Sequence, residues 1–401
     1  MVLLGSFLHR EALADLVGKA LEDRFDAGDA VLWKRLVSLN AWAVRTWSDR
    51  FAEDLFRALY GQVPPSFPAS TKAELKDLVV ANPPVRTPRI DQLIDAYRAF
   101  PEDFYRETPY DGRVFTLGDP PQYIGSRRIK RVRRIAEKTS RRLIDYLFDQ
   151  IRQRADELAE ERARRLGVQK ERLVTPPDEM AREFAHAERR VLKSIRDRLF
   201  VAAMPLFHID DIVGVRVLME NGLQERFVRW LESHPDLSIV DEKHFTGNFR
   251  GKNMVVALRL PMEQVRQVAV PREVADRWVT RGVIARREEA DGLWRDFLDG
   301  SEGHVRLELL QVDYEGLLES EIGRSMHEAH ILEQRENAAY KGRLATNLEA
   351  LMDWLLAYAL CPARPFEGIP IVLRGTYLPD YFDRLHRRLY QPSAGNTGLT
   401  L

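Results

Sequence analysis

The feature that most constrains the fold of this chain is an apolar run that begins with two aspartates, Asp210–Leu218. It reads Asp-Asp-Ile-Val-Gly-Val-Arg-Val-Leu, and a short apolar run of this kind predicts a buried β-strand. A carboxylate at the start of such a strand lies at a rigid sheet edge, where it can hold a divalent cation at a fixed distance from a nucleotide. Solvated strand ends often carry aspartate too. The run alone therefore indicates either a phosphate-chemistry site or an ordinary strand end.

The length of 401 residues indicates two or three domains, and a hydrophobic content of 45% is ample for sizeable cores. The net charge is zero, which neither requires nor excludes a polyanionic partner. The chain has one cysteine, Cys361, so a reducing compartment is expected. The apolar run Met1–Leu8 is too short for a signal peptide, and no apolar stretch approaches the length of a membrane span. We therefore expect a cytoplasmic protein with no membrane partner.

Apolar periodicity predicts an α+β fold in four regions. Residues 1–125 are predicted to be a helical N-terminal region, with helices in Ala12–Phe25 and Val31–Trp47. Residues 126–177 are predicted to be a long helix, capped by Ser126 and reaching Arg165, followed by a linker. Residues 178–375 alternate between helix and strand around a charged helical insertion at 262–303, and residues 376–401 are a tail. Within 178–375 the predicted strands are Asp211–Met219, Ser238–Val240, Asn253–Leu260, Val305–Val312 and Ile369–Leu373, and the predicted helices are Leu223–Ser233, Glu315–Glu336 and Leu344–Leu360.

Short motifs flank the Asp211 strand in a fixed order. They are the basic segment Glu188–Leu199, the loop Gly247–Asn253, the strand-like Arg306–Val312 and the segment Ser320–His327. This order resembles the RelA/SpoT (p)ppGpp synthetase family. Its members have a basic helix with Ser-Ile, an Asp-Ile-x-Gly-x-Arg strand, a Gly-Tyr-x-x-x-His loop, a Glu-x-Gln strand and a helix ending in His. The resemblance covers residues 185–345 and implies a divergent member with a nucleotidyltransferase-like mixed β-sheet flanked by helices.

The resemblance implies an ATP site on the basic segment. When Asp211 is set on the family's strand aspartate, Ser194 falls on the family's serine, and Arg190 and Arg198 fall on its two lysines. With Arg189 beside them, these are the predicted ATP-binding residues. Asp211 is the predicted catalytic, metal-binding aspartate, whose magnesium ion would bridge the β- and γ-phosphates of ATP. The alternatives are a solvated basic helix face and a strand-end carboxylate paired with a nearby arginine.

Glu308 is the second predicted catalytic and metal-binding carboxylate. It lies thirteen residues before Glu321, which is the family's separation between its catalytic Glu and its helix Glu. The resemblance implies that it positions the metal or activates the acceptor ribose hydroxyl. Leu310 replaces the Gln of the Glu-x-Gln signature, and Gln311 is expected to point to the other face of the strand. The signature is therefore half present.

The predicted acceptor site lies mainly in the loop after the strand. Phe249 falls on a family tyrosine that stacks on the acceptor guanine, and Asn253 falls on a family histidine. His327 matches the histidine that ends the family's helix motif. The other acceptor-binding candidates are cations for the acceptor phosphates, namely Lys243, Arg250 and Lys252. An exposed hairpin with one buried Phe is the alternative.

The helix predicted from Ser126 has a strongly basic first half. Nine lysines and arginines lie between residues 127 and 142, against one acid, Glu137. Such a helix, with an apolar stripe opposite, can neutralise several backbone phosphates. Charge runs are also common on solvated or intramolecular faces. The candidate nucleic-acid contacts are Arg127, Arg128, Lys130, Arg131 and Arg134.

Three functions are compatible with these patterns. The first, implied by the resemblance, is a pyrophosphotransferase that uses ATP as donor with Mg²⁺. It would move the β,γ-diphosphate to the ribose 3′-hydroxyl of GDP, GTP or another acceptor, such as an adenine nucleotide or tRNA. The second is a catalytically degenerate synthetase fold that binds nucleotides or RNA as a regulator, which the incomplete Glu-x-Gln signature favours. The third is an RNA-binding module centred on the basic helix predicted over Arg127–Arg142. Nucleotides are partners in the first two, and RNA or tRNA is a candidate partner of the basic helix.

Overall fold

The computed structural model describes residues 1–219, 222–246, 251–336, 340, 342–376 and 378, which we call the described residues. Their strands are β1 (Val2–Leu4), β2 (Ser66–Thr71), β3 (Pro109–Leu117), β4 (Gln122–Ile129), β5 (Phe207–Ile209), β6 (Val213–Leu218), β7 (Leu237–Phe245), β8 (Gly251–Arg259) and β9 (His304–Val312).

The helices begin with α1 (Arg10–Leu21), α2 (Ala27–Tyr60), α3 (Lys72–Ala81), α4 (Pro88–Ala99), α5 (Val132–Leu166), α6 (Pro177–Arg196) and α7 (Leu199–Ala203). They continue with α8 (Leu223–Ser233), α9 (Met262–Arg266), α10 (Arg272–Arg281), α11 (Ala290–Asp299), α12 (Tyr314–Glu321), α13 (His327–Glu336) and α14 (Arg343–Leu360). Within the described part of the chain, each helix is either too short or too polar to cross a bilayer.

One mixed sheet organises the molecule. Its strand order is β2-β3-β4-β6-β9-β8-β7, with β6 and β9 parallel and the other neighbours antiparallel. A second, two-stranded sheet pairs β1 with β5 in parallel. The predicted α+β class, with helices around a mixed sheet, is confirmed.

The N-terminal region is not only helical. The predicted helices near its start are present as α1 and α2, and α2 continues to Tyr60. Asp26 and Asp29 form a capping box at its start, and Gly61 ends it with a φ of 79°. However, β2, β3 and β4 belong to the same sheet as β6–β9, so the boundary predicted at residue 125 falls inside a strand. The N-terminal residues therefore help to build the central sheet.

The long basic helix begins later than its cap residue predicts. Ser126 lies in β4, where it pairs with Val114 on one side and Arg216 on the other, and its hydroxyl hydrogen-bonds the Tyr123 hydroxyl at 2.9 Å. Because both edges of β4 are paired, its backbone groups are used in the sheet and cannot start a helix. The helix α5 begins at Val132, so the first basic residues of the run lie on a strand.

Most later elements agree with the periodicity, and two do not. Strands and helices are found where β6–β9, α8 and α14 are predicted, and 262–303 contains the helices α9–α11 between β8 and β9. The helix predicted over Glu315–Glu336 is two helices, interrupted around Gly323. The strand predicted over Ile369–Leu373 is wrong, since these residues lie in coil and turn.

The two faces of the central strands differ in polarity. Val215 and Leu309 are completely buried on the face that α2 covers, where a Cβ on Gly125 would lie 2.4 Å from the Phe56 ring. Side chains alternate along strands, so the next positions point the other way. That second face carries Glu308 and other polar groups, and the candidate site lies there.

Candidate functional site

A cleft on the polar face of the sheet brings together the two predicted catalytic carboxylates. Asp211 lies two residues before β6, and Glu308 lies in the parallel neighbour β9, opposite Gly214. Both line one solvent-open cleft of about 2320 Å³. The predicted acceptor residues Asn253 and Lys243 line the same cleft. These four residues come from four different segments, which the sheet aligns.

Asp211 is held by two lysines. Lys130 Nζ lies 2.9 Å from Asp211 Oδ2, and Lys138 Nζ contacts the same oxygen. Burial favours a higher pKa for Asp211, but Lys130 and Lys138 outweigh it and hold the pKa well below its ordinary value. Asp211 is therefore ionised at neutral pH, and the side chains around it are positively charged.

Glu308 is held by an arginine and an amide. Arg128 Nη2 lies 2.6 Å from its Oε2, and Asn253 Nδ2 donates to its Oε1 at 2.7 Å. Burial opposes ionisation of Glu308, but Arg128 and then Lys130 lower its pKa below the ordinary value. A Cβ on Gly214 would lie 2.9 Å from Arg128 Nε and 3.2 Å from Glu308 Oε2. A methyl group at this position would therefore require the ion pair to shift.

Lys130 has a strongly lowered pKa. Its side chain is 7% exposed and its Nζ also donates to the Asp211 carbonyl oxygen at 2.5 Å. Burial and the neighbouring Arg128 lower the pKa of Lys130 to about 7, although Asp211 acts in the opposite direction. A phosphate group bound beside Lys130 would raise its pKa and so favour its charged form.

A smaller pocket of about 900 Å³ adjoins the cleft, because Arg134 and Arg335 line both. The predicted residues Arg128, Lys130, Arg131 and His327 line this pocket. Burial, followed by Arg128 and Lys72, holds the pKa of His327 well below its ordinary value, so this side chain is neutral at pH 7.

A network of buried charges lies behind the pocket. Glu321, 1% exposed, binds Lys72 at 2.7 Å and Arg216 at 2.8 Å. Glu328 lies 3.0 Å from Lys72 and 3.4 Å from Lys76. The network ties α3 to β6, α12 and α13, and so fixes the start of α13 beside the pocket.

Sequence patterns do not identify Lys72 or Lys76 as site neighbours. Arg216 is marked as the arginine of the Asp-Ile-x-Gly-x-Arg motif, whereas the lysines are visible only as an i, i+4 pair in a helix. Their buried partners lie more than 100 residues away, so no local pattern joins them.

The structure does not bring the predicted ATP-binding residues to the cleft. Arg189, Arg190 and Arg198 are exposed and are not among the residues that line the cleft or its pocket. Ser194 uses its hydroxyl to bind the Val191 carbonyl oxygen of its own helix at 2.7 Å. The cations beside the carboxylates are instead Arg128 of β4, Lys130 in the connection that follows it, and Lys138 of α5.

One of the predicted acceptor residues in this region lies outside the cleft, and two others are not among the described residues. Lys252 lies on the opposite strand face from Asn253 and pairs with Glu242 at 2.8 Å, outside the cleft. Phe249 and Arg250 lie outside the described residues.

Arg127 is not a surface contact. Its side chain is 1% exposed, and it forms an ion pair with Asp49 of α2 on the core side of the sheet. Arg128 and Lys130 are paired in the cleft, and Arg134 forms an ion pair with Glu137. Among the described residues, Arg131 has no ion-pair partner. The first half of the basic run therefore faces the protein itself more than solvent.

The described residues contain no group of three His, Cys, Asp or Glu side chains that could hold a metal ion. Comparison of the chain with protein-family models, with curated proteins and with solved structures finds no match. The resemblance to RelA/SpoT synthetases therefore remains a prediction from the motifs.

Proposed function

We propose that this chain transfers a diphosphate group from ATP to a ribose hydroxyl of a nucleotide acceptor. The observation that carries the proposal is the pairing of Asp211 and Glu308 with Lys130, Lys138 and Arg128 along one cleft. Two ionised carboxylates beside three cations suit an anionic substrate whose phosphates can exchange places with the carboxylates. The motif order of the RelA/SpoT family adds independent support.

In the proposed reaction, the acceptor hydroxyl oxygen attacks the β-phosphorus of ATP. The bond between that phosphorus and the α,β-bridging oxygen breaks, and AMP leaves with that oxygen. The hydroxyl proton passes to a base, for which Glu308 is the candidate. While it pairs with Arg128 its lowered pKa makes it a weak base. Phosphate binding to Arg128 would weaken that pair and raise its basicity.

Magnesium is proposed to arrive with ATP rather than to reside in the protein. Asp211 and Glu308 are neutralised by Lys130, Lys138 and Arg128, so a lone divalent cation would meet a net positive site. Magnesium commonly binds one or two carboxylates together with substrate phosphates. The two carboxylates fit that arrangement, in which the ion would offset charge on the phosphates.

A nucleotide-binding protein without turnover is the second candidate. It is favoured by the side chain of Leu310, which lies on the cleft face of β9 where a family glutamine is expected, while Gln311 is buried on the opposite face. Such a protein would bind ATP through Lys130 and Lys138 and release it unchanged.

Labelled ATP separates the two candidates. The purified full chain is incubated with γ-labelled ATP, Mg²⁺ and, in turn, GDP, GTP, AMP or bulk tRNA, and the products are separated by thin-layer chromatography. Diphosphate transfer moves the γ label to the acceptor and releases unlabelled AMP. ATP binding measured by calorimetry, without any labelled acceptor in the four reactions, would support the binding protein and contradict the transferase.

A further inference from the structure

The exposed face of α6 carries a row of basic side chains that the proposed transfer reaction does not use. Its members alternate in spacing between four and three residues, which places them along one face of a helix. We call this set the basic row: Arg182, His186, Arg189, Lys193 and Arg196, all of them exposed. The row spans fourteen residue steps, or about 21 Å at the rise of an α-helix.

The basic row points away from the protein. Ala187, Val191 and Ile195 are the buried residues of α6 and lie on the opposite side of the helix, which packs against α5. The row is therefore on the side that a large partner can approach.

The charges of the row are largely unpaired. Among the described residues, Arg182, His186 and Lys193 form no ion pair, and Arg189 Nε donates only to the Ala185 carbonyl oxygen of its own helix at 3.2 Å. Arg196 has one exposed partner next to it in sequence, Asp197, at 3.2 Å.

Three of the four acids of α6 are engaged elsewhere, and the fourth, Asp178 at the start of the helix, is exposed. Glu179 and Glu183 lie 2.9 Å and 3.3 Å from Arg162 of α5, and Glu188 accepts a hydrogen bond from the Tyr340 hydroxyl at 2.8 Å. These three side chains are directed toward the rest of the fold, so the exposed surface along the row carries mainly positive charge.

We propose that the basic row binds the phosphate backbone of double-stranded nucleic acid. A duplex presents one phosphate per 3.4 Å of axis on each strand, so a straight row of about 21 Å can contact several phosphates of one strand. Arginine and lysine are the usual donors to these phosphates. The row contains no Phe, Tyr or Trp, whereas sites for single strands stack bases on aromatic rings. Arg190 and Arg198, also exposed, widen the positive surface.

Salt dependence of duplex binding tests the proposal. If the four arginines and lysines of the row each displace one counterion, log K should fall with log salt at a slope of about −3.6. Affinity for a labelled 20-base-pair duplex should then drop about 150-fold between about 50 and 200 mM salt. Arg189→Glu with Lys193→Glu should reduce the slope toward about −1.8 and weaken binding at low salt at least about tenfold.

The matched control is Arg164→Glu with Arg165→Glu, near the end of α5. These arginines are exposed and have no ion pair among the described residues, and the net charge changes by the same amount. This variant should keep the wild-type slope, and circular dichroism should show both variants folded. Equal losses in the two variants would overturn the proposal, because net charge alone would then explain binding. Failure of the wild type to bind duplex at low salt, tighter binding of a single strand, or tighter binding of an acidic peptide would each overturn it as well.

Discussion

Replacing Glu321 with Gln removes one carboxylate from the centre of the buried network. Glu321 is 1% exposed and holds Lys72 and Arg216, which are 10% and 15% exposed in their side chains. Breaking a buried ion pair from one side costs about 3–5 kcal/mol, because the partner charge stays buried. Lys72 keeps Glu328 at 3.0 Å, so the loss is expected near the lower end, about 3 kcal/mol.

The matched control has the same kind of pair at the surface. Glu157 lies 2.8 Å from Arg154, but the two side chains are 39% and 50% exposed. Glu157→Gln should cost at most about 0.5 kcal/mol, since solvent screens the pair. Urea unfolding at pH 7, followed by circular dichroism, measures both changes in the free energy of unfolding.

The effect of Glu321→Gln should also depend on pH. Burial disfavours ionisation of Glu321, but Lys72 and Arg216 lower its folded-state pKa well below the ordinary 4.5. Its contribution is therefore fully present above pH 4.5 and is lost as the pH falls toward the folded-state pKa. The stability difference between wild type and Glu321→Gln should shrink between pH 7 and about pH 3.5. Equal costs for the buried and surface variants, or a difference that stays constant with pH, would refute this reasoning.

Two further predictions concern the cleft. Gly214→Ala would place a methyl group 2.9 Å from Arg128 Nε and 3.2 Å from Glu308 Oε2. The rate of diphosphate transfer should then fall about tenfold, and the free energy of unfolding should fall by about 1–3 kcal/mol. Unchanged kinetics would contradict a role for this ion pair. The pKa of Lys130 is about 7, so at pH 8 this lysine is mostly neutral, and ATP binding should draw in up to about 0.9 proton. Calorimetry in buffers of different ionisation enthalpy should detect that uptake in the wild type but not in Lys130→Met, and a buffer-independent heat in the wild type would contradict it.

Local patterns are sufficient for most helices and strands, and the start of the basic run shows where they fail. Arg127 faces Asp49 in the core and Arg128 faces Glu308 in the cleft, so both faces of β4 carry arginine. The period of two that marks a strand is therefore hidden, and the charge run indicates a helix instead. The identity of each residue's partner depends on sheet pairing, which a local pattern does not contain.

The sequence identifies the two carboxylates of the cleft but not the cations that pair with them. Asp211 is marked by its place at the start of an apolar run, and Glu308 by the separation from Glu321 that the family resemblance implies. Parallel pairing of β6 with β9 brings them to one cleft. Lys130 and Lys138 reach Asp211 because β4 pairs with β6, across more than 70 intervening residues. The order of the motifs in the sequence instead assigns the phosphate contacts to basic residues of α6. The structure places those residues on a different surface.

The central claim is that Asp211 acts on the transferred diphosphate rather than only balancing two lysines. The most direct measurement compares ATP binding and diphosphate transfer in Asp211→Asn and in Asp241→Asn, whose carboxylate lines the same cleft but pairs with the exposed Lys243 at 3.7 Å. Asp211→Asn frees Lys130 and Lys138 for phosphate, so ATP should bind at least as tightly while transfer falls on the order of 10²-fold or more. Asp241→Asn should retain both. Transfer that persists in Asp211→Asn, with only a loss of stability, would contradict the account.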